Sequence, residues 1–219
     1  RQNALEQIPS LPFDEVPVGK GESENVVMRE IGKKPEFNFK PKDHLDLGEA
    51  MGIIDFKTGS RVAGTGFYYL RNEGALLELA LAHYTLDFLK KRGFSLWFTP
   101  DLARSRFYFG TGYLPRGPEA QTYAIENEDL GLIATAEVTL AGIHSDEVLN
   151  EAILPRRYAG YSHCFRQETG SYGRYSRGLY RVHQFTKVEM FAYTKPEDSK
   201  AMHEEFLKHE EDLWQSLGI

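Results

Sequence analysis

The chain has 219 residues, 41% of them hydrophobic and 26% charged, a balance that supports a buried core and excludes a disordered or fibrous protein. No run of 18 apolar residues occurs, which excludes a membrane-spanning helix, and the net charge of −6 argues against a protein that coats nucleic acid non-specifically. The single cysteine, Cys164, cannot form an internal disulfide and suits a reducing compartment, the cytoplasm or an organelle interior. Cysteine and histidine are too sparse, and too far from cluster spacing, for a four-ligand zinc site.

Residues 1–42 are expected to form a linker, because Pro9, Pro12, Pro17, Pro35 and Pro41 interrupt it and Gly19–Glu22 is turn material. Arg1–Gln7 has the pattern of the last turns of an upstream helix that Pro9 ends, and Arg1 is not a natural start. Asp43 is placed to cap a short helix reaching Met51. Arg61–Leu70, which mixes glycine with aromatics, predicts a strand. Glu73–Arg92 then predicts a helix that is apolar on more than one face, with Lys90, Lys91 and Arg92 complementing the dipole at its end. A strand at Phe94–Thr99 stops at Pro100. Residues 110–131 predict a loop-rich insertion with a weak strand at Thr122–Glu126, and Leu130–Thr135 a short apolar strand. The chain closes with an amphipathic helix over Lys195–Leu217, its buried side formed by Met202, Phe206, Leu213, Trp214 and Leu217. Strands and helices follow without a βαβ rhythm, so the fold class expected is α+β on an antiparallel sheet.

Charge is distributed unevenly. Between Ala152 and Val188 stand seven basic residues (Arg156, Arg157, Arg166, Arg174, Arg177, Arg181 and Lys187) against the single acid Glu168. Such a strip within an acidic body suits an anionic ligand. Tyr161–Phe191 predicts two long strands joined by a loop rich in Gly, Ser and Arg. Side chains alternate across a strand, so Ser162, Cys164, Arg166 and Glu168 share one face of the first. Arg181, His183, Phe185, Lys187 and Glu189 share one face of the second. Arginine forks suit carboxylate and phosphate oxygens, an aromatic ring suits a stacked base, and glutamates suit an ammonium or amine. An exposed sheet face laced with ion pairs would show the same parity. The triplet Thr135-Ala136-Glu137 sets a hydroxyl and a carboxylate at the end of the short apolar strand.

The string FRQETGSYGRYSRGLYRVHQFTKVE resembles motif 2 of class II aminoacyl-tRNA synthetases, and in detail that of the seryl-tRNA synthetases. Leu132–Glu137 resembles that family's serine-binding loop, and the helix, strand and Pro100 resemble its motif 1, a dimer-forming element. Segments at Ile8–Pro12, Val16–Gly19 and Pro41–His44 are similar to the join between the family's coiled-coil arm and its core. The resemblance implies a linker at 1–42 following an arm, and at 43–219 the front portion of the catalytic core, lacking motif 3 with its ATP-binding arginine and main metal carboxylate. It implies ATP-dependent activation of L-serine to seryl-adenylate and transfer to tRNA(Ser), and to tRNA(Sec), with ATP and Mg²⁺ in a cytoplasmic homodimer. By the same resemblance Thr135, Ala136, Glu137, Arg166 and Glu189 would bind serine. Arg166, Gln167, Glu168, Val182, His183, Gln184 and Phe185 would bind ATP, with Arg166 and Glu168 serving catalysis and Phe185 stacking on adenine. Arg174 and Arg177 would face tRNA. Two other readings remain open: a non-catalytic paralogue, or a ligase that passes serine to a carrier protein.

Overall fold

The computed structural model describes residues 8, 11–113, 121–168 and 178–219. Residues 11–42 contain no regular element beyond a 3-10 turn at Glu22–Glu24, and the side chains described there are exposed. Ion pairs of Lys200 with Glu15, at 2.8 Å, and of Arg29 with Glu211 lay this segment along the C-terminal helix. Asp43 caps helix α1 (His44–Ala50) as expected, its carboxylate accepting from the Asp46 N–H at 2.9 Å.

Asp55 does the same for helix α2 (Phe56–Ala63), accepting from the Thr58 N–H at 2.8 Å. That cap corrects the strand expected at Arg61–Leu70. Once started at Phe56 the helix runs on to Ala63, where Gly64 ends it, and only Tyr69–Leu70 (β2) extends, antiparallel to β1 (Ile54–Asp55). Helix α3 (Glu73–Lys90) follows, then strand β3 (Ser95–Phe98), both close to expectation.

The sheet that organises the molecule has the order β3-β6-β7, with β6 at Arg156–Phe165 and β7 at Gln184–Tyr193. β6 and β7 are antiparallel throughout, from Arg156 opposite Tyr193 to Phe165 opposite Gln184. β3 joins β6 in parallel, so the antiparallel sheet expected becomes a mixed one at that edge. Among the described residues β7 has no strand on its outer side.

Two further strands are shorter than their sequence suggests. Thr122–Glu126 reduces to one bridge, Ala124 with Gly131, and Leu130–Thr135 reduces to β5 (Gly131–Leu132), paired with β4 (Leu102–Ala103). Beyond Leu132 the chain turns inward to α5 (Glu137–Leu140), so Ile133, Thr135 and Ala136 are fully buried rather than displayed at a strand end.

The two faces of the sheet have different partners. Ala159, Val188 and Met190 pack on Phe88 and Leu89 of α3, on Phe94, and on Phe206 and Leu213 of helix α6 (Ser199–Ser216). Trp214, expected on the buried side of α6, is instead 53% exposed. On the opposite face Tyr158, Phe191 and Tyr193 hold Ala136 and Leu140. A third cluster, Ala103, Tyr108, Ile133 and Val138, fixes helix α4 (Ser105–Thr111) beside β4 and β5.

Tyr108 lies in that cluster, its hydroxyl donating to the Gly131 carbonyl at 2.6 Å. Burial pushes its phenol up from 10.0 to about 12. A raised acid contributes stability that is complete below its unfolded value and lost as pH rises through the folded one. Unfolding free energy, measured by denaturant titration, should therefore fall as pH climbs from 10.0 to about 12, and Tyr108→Phe should flatten that decline.

Candidate active site

The site is built on the sheet face that carries Tyr158 and Phe191. Register makes one surface of the two charged faces read from the sequence, with Cys164 opposite Phe185, Ser162 opposite Lys187 and Gly160 opposite Glu189. Gly160 decides how close α5 can come. A Cβ there would stand 2.8 Å from Leu140 Cδ1 and 3.0 Å from Ala136 Cβ, inside ordinary contact. Without it, Ala136 sits against the strand and its neighbours Thr135 and Glu137 lie over β7.

Thr135 is fully buried, and its hydroxyl donates to Glu189 Oε2 at 2.5 Å while accepting from the Glu137 N–H at 3.4 Å. The approach is fixed by backbone bonds. The Phe165 N–H donates to the Ile133 carbonyl at 2.8 Å, and the Ile133 N–H to the Asp101 carbonyl at 2.9 Å. Lys187 Nζ also reaches Glu189 Oε2, at 2.5 Å. Glu137 takes a different partner, the Tyr113 hydroxyl at 3.1 Å. Burial first, then the charge of Glu137 and its hydrogen bond, hold the Tyr113 phenol well above its ordinary value; Glu189 adds to this and Arg166 opposes it. Tyr113 thus remains a donor at neutral pH and reports that Glu137, Glu189 and Arg166 converge.

Arg166 lies just past the end of β6, so strand parity does not place it. Its N–H donates to the His183 carbonyl at 3.0 Å, and its guanidinium sits 5.2 Å from the centre of the Phe185 ring. His183 Nδ1 lies 2.8 Å from the Arg166 carbonyl, which only accepts, so that nitrogen carries the proton; the Tyr123 hydroxyl is also 2.8 Å away. The imidazole stacks on Phe67 at 5.1 Å and 16°. Gly66, with φ of +86°, permits this packing, since a Cβ would fall 2.4 Å from His183 Cδ2.

The remaining candidates are dispersed around this centre. Gln167 donates to the Thr122 carbonyl at 3.1 Å, and its N–H to the Gln121 carbonyl at 2.9 Å. Glu168 adopts a left-handed backbone, φ 50°, and pairs with Arg181 at 3.0 Å. Val182 is buried, whereas Gln184 is exposed and lines a cavity of about 360 Å³ with Phe67, Tyr68, His163 and Thr186. Cys164 is buried beneath the site, 3.5 Å from the Ser162 hydroxyl, and burial pushes its thiol up. Arg174 and Arg177 lie outside the described residues. Among the described residues no cluster of three His, Cys, Asp or Glu could hold a metal ion. No helix among them is long and apolar enough to cross a membrane.

Sequence reasoning left Tyr113, Gly160 and Lys187 without roles. Tyr113 falls in a stretch with no periodic signal, and a glycine in a strand gives no hint of what approaches it. Lys187 was visible on the charged face, and its partner follows from the i, i+2 spacing.

The description of the tRNA synthetase class II core domain (G, H, P, S and T) matches residues 121–219, which include Thr135, both long strands and α6. Fold and site together define a class II tRNA synthetase core. The serine–tRNA ligase of Rubrobacter xylanophilus is 59% identical over 213 residues, covering 97% of this chain and 50% of that protein. That of Dictyoglomus turgidum is 54% identical over 215 residues, 98% and 51% of the respective chains. Among solved structures, the seryl-tRNA synthetase of Pyrococcus horikoshii complexed with ATP superposes with a TM-score of 0.91 at 39% identity, covering 98% of this chain and 52% of that one. The cytoplasmic serine–tRNA ligase of Naegleria fowleri in complex with AMP gives 0.88 at 33%, covering 100% and 52%. Along nearly all of its length the chain is similar to seryl-tRNA synthetases, and it spans about half the length of the curated relatives it matches.

Gly160→Ala should test the geometry. Overpacking against Ala136 should destabilise the fold by about 1–3 kcal/mol in denaturant titrations. It should also separate Thr135 from Glu189 and weaken binding of whatever small molecule the site takes.

Proposed function

We propose that the whole protein to which this chain belongs activates L-serine with ATP and transfers the seryl group to the 3′ end of tRNA(Ser), and of tRNA(Sec). Relatives named serine–tRNA ligase match along nearly all of the chain, and the structural relatives were solved with ATP and with AMP. The observation that carries the reading is the Thr135–Glu189 bond at 2.5 Å, which sets two residues 54 positions apart beside Glu137. In this assignment the serine ammonium binds at the Thr135-Ala136-Glu137 loop and the serine hydroxyl donates to Glu189. Arg166 spans the serine carboxylate and the α-phosphate, and Phe185 stacks on adenine within the stretch Val182–Phe185. Gln167 and Glu168 hold the nucleotide from the other side.

Two steps follow from this placement. A serine carboxylate oxygen attacks the α-phosphorus, forming the acyl–phosphate bond as pyrophosphate leaves. The terminal ribose hydroxyl of tRNA then attacks the seryl carbonyl, and AMP departs with the electron pair of the broken C–O bond. Arg166, preorganised over Phe185, neutralises charge growing on the α-phosphate. Arg174 and Arg177 are assigned to the tRNA backbone, and Mg²⁺ to the company of the ATP phosphates.

We assign residues 1–42 to a linker and 43–219 to the front of the catalytic core, and a cytoplasmic homodimer as the working form. Leu76, Leu77 and Leu79 of α3 are 65%, 55% and 60% exposed, an apolar surface suited to a second subunit. The paralogue and carrier-protein readings are not favoured, given identity of 59% to a serine–tRNA ligase and the presence together of Thr135, Glu137, Arg166, Glu168 and Glu189.

The intact protein should exchange pyrophosphate into ATP only with serine present, and should reject alanine by about 10⁴-fold because alanine brings no hydroxyl to donate to Glu189. Equal exchange with alanine would overturn the substrate assignment. Arg166→Ala should lower the exchange rate by about 10²–10³-fold, the scale of losing one preorganised stabiliser. Arg166→Lys should recover little of it, since an ammonium lacks the planar fork.

A further inference from the structure

Glu137 and Glu189 flank the same buried threonine, yet their surroundings differ in charge. Glu137 accepts from a neutral phenol, Tyr113, and forms no ion pair among the described residues. Glu189 takes a neutral hydroxyl and an ammonium on one oxygen, Oε2, with Thr135 Oγ1 and Lys187 Nζ each 2.5 Å away. Lys187 precedes Glu189 by two positions on β7, so both project from one face, opposite the small residues Ser162 and Gly160. Both side chains are about two-thirds or more shielded from solvent, where an ion pair is worth more than at the surface.

This asymmetry matters for a ligand with one ammonium and one hydroxyl. Two bare carboxylates would each favour a cation, so the ammonium could settle at either, and a diamine would satisfy both. With Lys187 in place, Glu189 is already compensated and can accept from a hydroxyl. A second ammonium there would face the Lys187 charge, a repulsive element of the kind that specificity requires.

We propose that Lys187 is a specificity-determining residue of the amino-acid site, pairing with Glu189 to reserve that carboxylate for a neutral hydroxyl and to reject substrates bearing an ammonium in its place. The proposal rests on the reading in which Glu137 takes the serine ammonium and Glu189 the hydroxyl.

The test compares L-serine with L-2,3-diaminopropionate in pyrophosphate exchange by the intact full-length protein, at a pH that protonates the diamine side chain. The wild type should strongly favour serine. Lys187→Met should reduce the ratio of kcat/KM values, serine over diamine, by at least about tenfold, the scale of losing one close charge contact. Lys187→Gln, which keeps a donor and most of the packing, should shift the ratio the same way, so the test stands even if the methionine variant folds poorly. Lys187→Arg should preserve the ratio, and adding Glu189→Gln to Lys187→Met should restore rejection of the diamine. A fall in both activities with an unmoved ratio would overturn the proposal and leave Lys187 a purely structural group. A wild type lacking serine-dependent exchange would instead overturn the serine-site reading itself.

Discussion

A hydroxyl group removed from water must find a partner inside the protein, and the acceptor to which Thr135 donates is Glu189. That bond joins the α5 loop to the edge strand of the main sheet, elements that the chain separates by the whole of β6. It forms only because Gly160 leaves room for Ala136 to lie against the strand. Glycine in the middle of a strand ordinarily weakens it, through lost packing and greater chain entropy. Here that cost is offset by the buried contacts of Ala136 and Leu140 with Tyr158, and the gain is a polar site seated on a sheet rather than on mobile loops.

The rest of the face is organised around complementary charge and flat rings. The Arg166 guanidinium lies 5.2 Å from the centre of the Phe185 ring and, among the described residues, forms no salt bridge. Behind it, His183 is held by Phe67, by Tyr123 and by backbone contacts with Arg166 and Gly66, which fixes the position from which β7 starts. The opposite face of the same sheet is apolar and packs on α3 and α6. One sheet therefore separates the part of the molecule that holds it together from the part that meets small molecules.

Much of this was legible because strands obey a strict period of two. Parity alone puts Phe185, Lys187 and Glu189 on one face, and the cap at Asp43 was readable from residue type. Expectations failed where local pattern competed with an upstream signal or a tertiary contact. Arg61–Leu70 carries aromatic and glycine residues suited to a strand, but Asp55 nucleates a helix through its first half. Leu130–Thr135 is apolar enough for a strand, but Ile133 and Thr135 are apolar or buried because they line a bend beneath α5. Tyr113 had no signal at all, since its role depends on Glu137 arriving 24 residues later.

Cys164 gives this arrangement a means of observation. It is the single cysteine of the chain, lies directly opposite Phe185, and is sealed from solvent with its thiol pushed up by burial. Thiolate is the reactive species, so alkylating reagents meet an inert sulfur while the sheet stays closed. Modification at this one atom then requires the structure around β6 to open, and its rate reads out how often the floor of the site does so.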